Sequence, residues 1–500
     1  MDQPTVLPQE LRLVSPVTIP QARSYIFPIN SMDAIYDLTS NPQDVQIDIP
    51  RLQRSYLSKD SYLGFTLSVD WTPGETAGGG IGPDFSICLD TPGAYGLFDA
   101  IEVYDYLGST LLERINGHAE LMSLLIDADP MGYGHPTTNG TRPFVAANAD
   151  NPPYTQYNPA VTGPFSGDVF HTNGVANPST VVTRSKQYAI PIASFIGFLS
   201  KKMVPLHNGY TLILKWNEAN NALGLTPLSD PVTTADIKSQ FKAARVSDVK
   251  FFAQVLELGP VAEGLLQAST NGEPMIVPTR TYRNYSTVWK KSNVFVERSL
   301  DINLNVASMT GVLWMMRETT QVNNINNRKY QRIRNYLQSW ALHYGSSVLP
   351  HSSGIETQNI DTNSFSSGAQ GYNELIKALR CQKKHTNFSQ NNWNFDTSTG
   401  YDGTLICPFL DVDYGNTRLN SFEYGRFACG LNTQLIPDKE NISGLNTNGI
   451  ATQLRARFNP HFTHQTNVGT QASEAVIVDA FVEYDAFVTI VPGIATSVTF

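Results

Sequence analysis

The run Val476-Ile477-Val478-Asp479-Ala480-Phe481-Val482-Glu483-Tyr484-Asp485-Ala486-Phe487-Val488-Thr489-Ile490 decides the fold class of this chain. Every even position from Val476 to Ile490 is apolar or aromatic, while the odd positions carry Asp479, Glu483, Asp485 and Thr489. Side chains alternate across a strand, so a period of two predicts one long β-strand. Its apolar face would line a core and its acidic face would meet water.

The same pattern recurs upstream. Val45, Ile47 and Ile49 alternate with polar residues, and Leu63, Phe65, Leu67 and Val69 alternate with Gly64, Thr66, Ser68 and Asp70. Two apolar runs bracketing Gly108 predict a hairpin. The segment HAELMSLLIDA (118–128) has helical spacing, with Asn116 as the expected N-cap. Further strands are expected in QYAIPIASFIGFLS (187–200), TLILKW (211–216) and VKFFAQVLEL (249–258), followed by a short helix, VAEGLLQA (261–268). The second half repeats the plan with SLDINLNV (299–306), GVLWMMRE (311–318), the helix YNELIKALR (372–380), LICPFLDV (405–412), EYGRFACGLNTQL (423–435) and TQLRARF (452–458).

Each half therefore reads as many strands, a helix between strands, long polar loops and a long closing strand. The expected fold class is all-β, with two tandem eight-stranded jelly-roll sandwiches, short inserted helices and long polar loops. The expected boundaries are an extended arm over 1–30, a first roll over 31–268, a linker over 269–280 and a second roll over 281–500. The arm reading rests on Pro4, Pro8, Pro16, Pro20 and Pro28. Within the first roll, residues 131–180 hold 6 Gly, 7 Pro and 6 Asn against 3 charged residues, with no periodicity. Six aromatics, Tyr133 to Phe170, mark that loop as more than a linker. Polar loops are also expected over 350–371 and 385–403.

Composition agrees. The 500 residues exceed what one core usually serves. A hydrophobic share of 41% with 16% charged residues excludes intrinsic disorder. The net charge of −9 argues against a surface built wholly for phosphate backbones. That charge is uneven: 16 basic and 26 acidic residues precede residue 271, and 19 and 18 follow. The best membrane candidate, Tyr188 to Leu206, is interrupted by prolines and lysines, so no span is expected. MDQPTVLPQE has neither a basic start nor an apolar run, so no secretory signal is expected. Cys88, Cys381, Cys407 and Cys429 are too dispersed for a metal or redox pair and read as buried free thiols in a reducing compartment. The sequons at Asn139, Asn284, Asn387 and Asn441 read as chance matches.

Candidates for chemistry are few. Asp411 and Asp413, or Asp127 and Asp129, have the spacing of a metal-holding acid pair, against the simpler alternative of solvated strand ends. His461 with His464, and Cys381 with His385, lack the third and fourth ligands of a zinc site. No nucleophile elbow, P-loop or GxGxxG occurs, so no catalytic residue, metal or cofactor is expected. Arg317, Arg328, Lys329, Arg332 and Arg334 alternate with Tyr330, Tyr336 and Trp340. Such a stretch could grip phosphates and stack bases. Alternatively its arginines face water or pair with the acidic first half. Of these, Arg328, Lys329, Arg332 and Arg334 are candidates for contact with another subunit or a genome.

Four stretches together resemble the double jelly-roll major capsid proteins of double-stranded DNA viruses, a group that includes adenoviruses, nucleocytoplasmic large DNA viruses, virophages and polinton-like viruses. They are AIEVYDYLGSTLLERINGHAELMSLL (100–125), YAIPIASFIGFLSKKMVPLHNGYTLILKW (188–216), VERSLDINLNVASMTGVLWMMRE (296–318) and VIVDAFVEYDAFVTI (476–490). The resemblance implies a homotrimer of six rolls with a near-hexagonal outline, tiling an icosahedral virion. It implies minor capsid, cement and penton proteins as partners, a possible weak nucleic-acid contact on the inner face, and no catalytic residues. Such a protein is made in the host cytoplasm or nucleus. The alternatives are a carbohydrate- or receptor-binding β-sandwich, such as a spike or lectin, and a jelly-roll sugar-active enzyme using Asp411 and Asp413.

Overall fold

Strand pairing starts at Ala22. The computed structural model describes residues 22–40, 42–72, 85–89, 92–106, 108–128, 169–171, 181–192, 197–200, 203–227, 241–269, 273–290, 296–319, 330, 332, 337–357, 369–382, 386, 427–436, 443–458, 475–492 and 495–500. The chain opens with β1 (Ala22–Asn30), β2 (Ile35–Asp37), β3 (Val45–Ile49), β4 (Ser55–Ser58), β5 (Tyr62–Trp71), β6 (Phe85–Leu89), β7 (Phe98–Asp105) and β8 (Leu111–Asn116). Helix α1 (His118–Ala128) follows. Next come β9 (Val169–His171), β10 (Val182–Pro191), β11 (Met203–Pro205), β12 (Tyr210–Trp216), α2 (Ala219–Ala222), β13 (Leu223–Pro227) and β14 (Phe241–Leu258). Helix α3 (Pro260–Ser269) leads into the second half.

That half holds β15 (Met275–Lys290), β16 (Val296–Ile302), β17 (Met309–Glu318), β18 (Leu337–Tyr344), β19 (Ser347–Leu349) and β20 (Ile355–Glu356). It ends with α4 (Ala369–Ala378), β21 (Cys429–Asn432), β22 (Thr452–Phe458), β23 (Ala475–Val491) and β24 (Ala495–Thr499). All described pairings are antiparallel, and each sheet takes its strands from one half only.

In the second half one sheet runs β15-β23-β17-β21, with β24 on β23, and the other runs β16-β22-β18-β19, with β20 on β18. Counted along the chain, the eight strands on these paths stand in the orders 1-8-3-6 and 2-7-4-5, which is a jelly roll. The first half repeats both orders. Its strands β1-β14-β5-β10 lie in a seven-stranded sheet that also holds β2, β4 and β11, and β3-β12-β7-β8 form the opposing sheet. A small β13-β6-β9 sheet is added.

Aromatic rings join the two sheets of each roll. In the first, Phe65 of β5 meets Trp216 of β12 edge-on at 5.7 Å and Phe98 of β7 edge-on at 6.2 Å. In the second, Trp314 of β17 meets Trp340 of β18 edge-on at 5.6 Å, and Trp289 of β15 meets Phe458 of β22 at 5.7 Å. Such pairs add to the area they bury because ring edges are electropositive and faces electronegative.

The alternating runs fold as expected: Val45, Ile47, Ile49, Leu63, Leu67 and Val69 are fully buried, and all eight even positions of β23 are buried. The hairpin forms too, with β7 against β8 and Gly108 at φ +67° in its turn.

Five expectations need correction. Residues 22–30 of the supposed arm are strand β1, paired with β14 from Ala22↔Leu258 to Asn30↔Lys250. Residues 275–280 of the supposed linker belong to β15, paired with β23 from Met275↔Ile490 onward. Pro28 and Pro278 fall within β1 and β15 in the same way. Each lies on a strand bonded to a single neighbour, where a missing N–H is tolerated. Residues 355–356 of a supposed loop form β20, and α4 begins inside that loop at Ala369. Asn116 is no helix cap: it ends β8, its Oδ1 accepts from Arg114 Nε at 2.9 Å, and Gly117 makes the turn into α1 at φ +62°. The acidic face of β23 does not meet water, for Asp479, Glu483 and Asp485 are all buried. The stretches 131–168, 172–180 and 387–403 lie outside the described residues, whereas 169–171 pair with β6 as β9.

Candidate assembly element: a buried polar seam between the rolls

A buried carboxylate without a partner costs several kcal/mol, so three on one strand demand an account. Each has an arginine from its own half. Asp479 accepts from Arg317 Nη2 at 2.7 Å and Nε at 3.0 Å. Asp485 accepts from Arg280 Nε at 3.0 Å, across the β15–β23 ladder, and from Ser308 Oγ at 2.6 Å. Glu483 takes both terminal nitrogens of Arg380, the Tyr282 hydroxyl at 2.8 Å and the Thr310 hydroxyl at 2.7 Å. Burial opposes the Glu483 charge, but Arg380, Arg280 and Thr310 outweigh it and hold its pKa below the ordinary value.

Arg317 also reaches into the first roll. Its Nη2 lies 3.1 Å from Glu120 Oε1 of α1. One helical face of α1 continues the contact: Arg332 pairs with the buried Asp127 carboxylate, and Thr386 Oγ1 donates to the Asp127 carbonyl at 2.9 Å. Positions 120 and 127 are two turns apart and so share a side. Leu121, Met122, Leu124, Leu125 and Ile126 of α1 are buried in the apolar core. Around this helix, Asn217 Nδ2 donates to the Tyr330 hydroxyl at 3.0 Å, and the Arg317 guanidinium lies 6.0 Å from the Tyr330 ring centroid. At a separate point, Asn208 Nδ2 donates to the Val491 carbonyl at 3.0 Å and to Thr496 Oγ1 at 3.1 Å. Gly117 lets β15 approach, because a Cβ there would stand 2.7 Å from Asn284 Nδ2.

The charges of the Arg317 cluster do not cancel. Burial works against the Arg317 cation, but Asp479 and Glu120 more than offset it and raise its pKa. Burial, reinforced by Asp479, raises the Glu120 pKa despite Arg317.

Among the candidates read from sequence, Arg332 is corrected: it is 1% exposed and bound within its own chain, on no face open to a subunit or genome. Its partner lies in the acidic first half, the alternative given for this stretch. Arg328, Lys329 and Arg334 lie outside the described residues. Asp127 is neither a metal ligand nor a solvated strand end, since it sits in a helix and is ion-paired. Asp129, Asp411, Asp413, His385, His461 and His464 lie outside the described residues. Cys381 and Cys429 are buried free thiols, and burial pushes the Cys429 thiol up. Among the described residues, no group of three metal-ligating side chains occurs, and no helix is long and apolar enough to cross a membrane. Glu120, Asp479 and Arg380 were missed as site residues. The available signal was charge at otherwise apolar elements: Arg317 closing GVLWMM and Glu120 inside HAELMSLL.

No protein-family profile matches the chain, and no curated protein matches its sequence. Solved structures do match its fold over nearly its whole length. A chain in the cryo-EM structure of the Sputnik virophage is 10% identical with a TM-score of 0.58, covering 100% of this chain and 93% of that one. The crystal structure of the mavirus major capsid protein is 12% identical with a TM-score of 0.54, covering 100% and 96%. The quasi-atomic model of the PBCV-1 virus capsid is 9% identical with a TM-score of 0.51, covering 96% and 97%. At these identities the likeness is one of fold. This chain has the double jelly-roll fold shared with these viral capsid structures.

Proposed function

We propose that this chain is the main building tile of an icosahedral viral shell, working by self-association and without turnover. One observation carries the reading: two rolls of identical strand order are fused through a charged, buried seam into one body that matches capsid chains end to end. A tile must present fixed edges to its neighbours, and ion pairs that cross between rolls hold those edges in register. The proposed unit is a homotrimer of six rolls, giving a near-hexagonal outline from one gene product. Its two units are divided near residues 269–274, between α3 and β15. Obligate interfaces of roughly 2,000–5,000 Å² would lock the trimer. Penton and cement proteins would complete the shell, and its location would be the virion.

Light scattering with negative-stain imaging of the purified chain tests this. The expected particle is about 165 kDa, three times the 55.1 kDa chain, with six-sided outlines. A chain that stays monomeric at tens of micromolar would overturn the proposal.

A further inference from the structure

The outward face of the β3-β12-β7-β8 sheet carries a cleft of about 290 Å³, lined by Gln46, Asp48, Tyr104, Tyr106, Thr211 and Ile213, with Gly108 at its rim. We propose that this cleft binds one ring of a neutral saccharide, a function separate from shell building.

The strand order assembles it. Thr211 of β12 stands opposite Asp48 on one side and Tyr104 on the other. Tyr104 and Tyr106 are two residues apart and project to the same side. Both rings are fixed although neither belongs to the core. The Tyr104 hydroxyl donates to Glu102 at 2.9 Å. The Arg51 guanidinium stacks 4.8 Å from the Tyr106 centroid, and Gly209 (φ +66°) gives that ring room, since a Cβ there would come within 3.0 Å of it. Two immobilised aromatic rings thus stand on an exposed sheet face.

The polar floor is equally set. Asp48 accepts from Thr211 Oγ1 at 2.8 Å and from Gln46 Nε2 at 3.1 Å. An ionised carboxylate has about four acceptor sites, so Asp48 retains capacity for ligand hydroxyls. A sugar ring offers a matching surface: an apolar C–H face for a tyrosine and a rim of O–H donors for a held carboxylate. Charge narrows the ligand further. Glu102 is already satisfied by Lys215 at 3.0 Å and Arg114 at 3.1 Å, which leaves Asp48 as the acid among the lining residues. The Asp48 carboxylate only accepts, so at that point it favours a hydroxyl over an anionic group, and one carboxylate is too few to hold a metal. The volume sits at the small end for ligand sites, which suits one terminal ring.

The experiment uses the full chain in its assembled form. Saturation-transfer NMR with methyl β-galactoside, methyl β-glucoside and N-acetylglucosamine would be paired with an array of neutral and sialylated glycans. Transfer to the C–H protons of at least one neutral probe is expected, with sialylated glycans silent. Asp48→Asn and Tyr106→Ala should each weaken binding roughly tenfold or more, about 1.4 kcal/mol, while particle mass stays unchanged. Oxidative footprinting of Tyr106 supplies a readout independent of both variants. Three results would overturn the site: no neutral probe binds, binding survives both variants, or assembly shields Tyr106 because the face is an interface between copies. Each is distinguishable from failure of the shell reading, which the particle mass alone decides.

Discussion

Replacing Arg317 by methionine removes the one cation between the buried Asp479 and the partly buried Glu120. Its side chain makes two hydrogen bonds to Asp479, at 2.7 and 3.0 Å, and a third contact of 3.1 Å to Glu120. Removing one partner of a buried pair leaves an uncompensated charge and costs about 3–5 kcal/mol. For a unit of 150–250 residues each kcal/mol moves the midpoint by about 2–4 °C, so a fall of roughly 6–20 °C is expected by calorimetry. The diagnostic step is the triple replacement Arg317→Met, Glu120→Leu and Asp479→Leu. Swapping a whole buried ionic cluster for apolar side chains is often neutral or stabilising, so the triple should recover at least half of the loss. If the single variant melts within 1–2 °C of the parent, the cluster does not hold the rolls. A triple as unstable as the single would place the cost in shape, not charge.

The pH profile should follow the two acids in opposite directions. Glu120 has a raised folded pKa, so its contribution is full below its ordinary 4.5 and declines as pH rises through the raised value; Glu120→Gln should flatten that slope. Glu483 has a lowered folded pKa, so its contribution is present above 4.5 and disappears as pH falls through the lower value. Unfolding midpoints measured from pH 3 to 8 check both, and a profile that only rises with pH would refute the Glu120 assignment. Asn208→Ala removes two donations to the β23–β24 end and should cost about 1–2 kcal/mol. Calorimetry should show it broadening one transition toward two, and an unchanged trace would refute the coupling. Gly197→Ala places a Cβ 1.6 Å from Glu113 Oε1, at φ +91°, and so displaces the carboxylate that accepts from the Phe198 N–H at 2.8 Å. A loss of roughly 2 kcal/mol or more is expected by denaturant unfolding, and a neutral result would refute it.

The jelly-roll plan was legible because the sheet period is local. Val45 to Ile49, Leu63 to Val69 and Val476 to Ile490 each reveal a buried face within fifteen residues or fewer. The ends of strands were not legible where proline intervened: Pro28 and Pro278 suppress the strand signal, and only the long partners β14 and β23 supply the ladder that overrides it. The seam was hidden for another reason. A period of two says that Asp479, Glu483 and Asp485 share a face, but cannot say whether water or arginine covers it. Their partners Arg317, Arg380 and Arg280 lie more than a hundred residues away in the chain. The saccharide cleft is similar, since the order β3-β12-β7 alone brings residues 48, 211 and 104 side by side.

The seam also bears on why two rolls share one chain. An apolar contact between rolls would tolerate small slides, because hydrophobic attraction has little directionality. Charged hydrogen bonds do not: Arg317 satisfies Asp479 and Glu120 together in one placement of α1 against β17 and β23, and Arg332 fixes the same helix two turns further on. Two anchors on one rigid helix restrict sliding and tilting along it, and the separate Asn208 contact restrains rotation about that line. The resulting stability per contact is modest, since desolvation consumes most of the attraction. What the arrangement secures is geometry. On the proposed reading as a shell tile, geometry matters more than depth of stability, because an error in the angle between rolls is repeated at every edge shared with a neighbour.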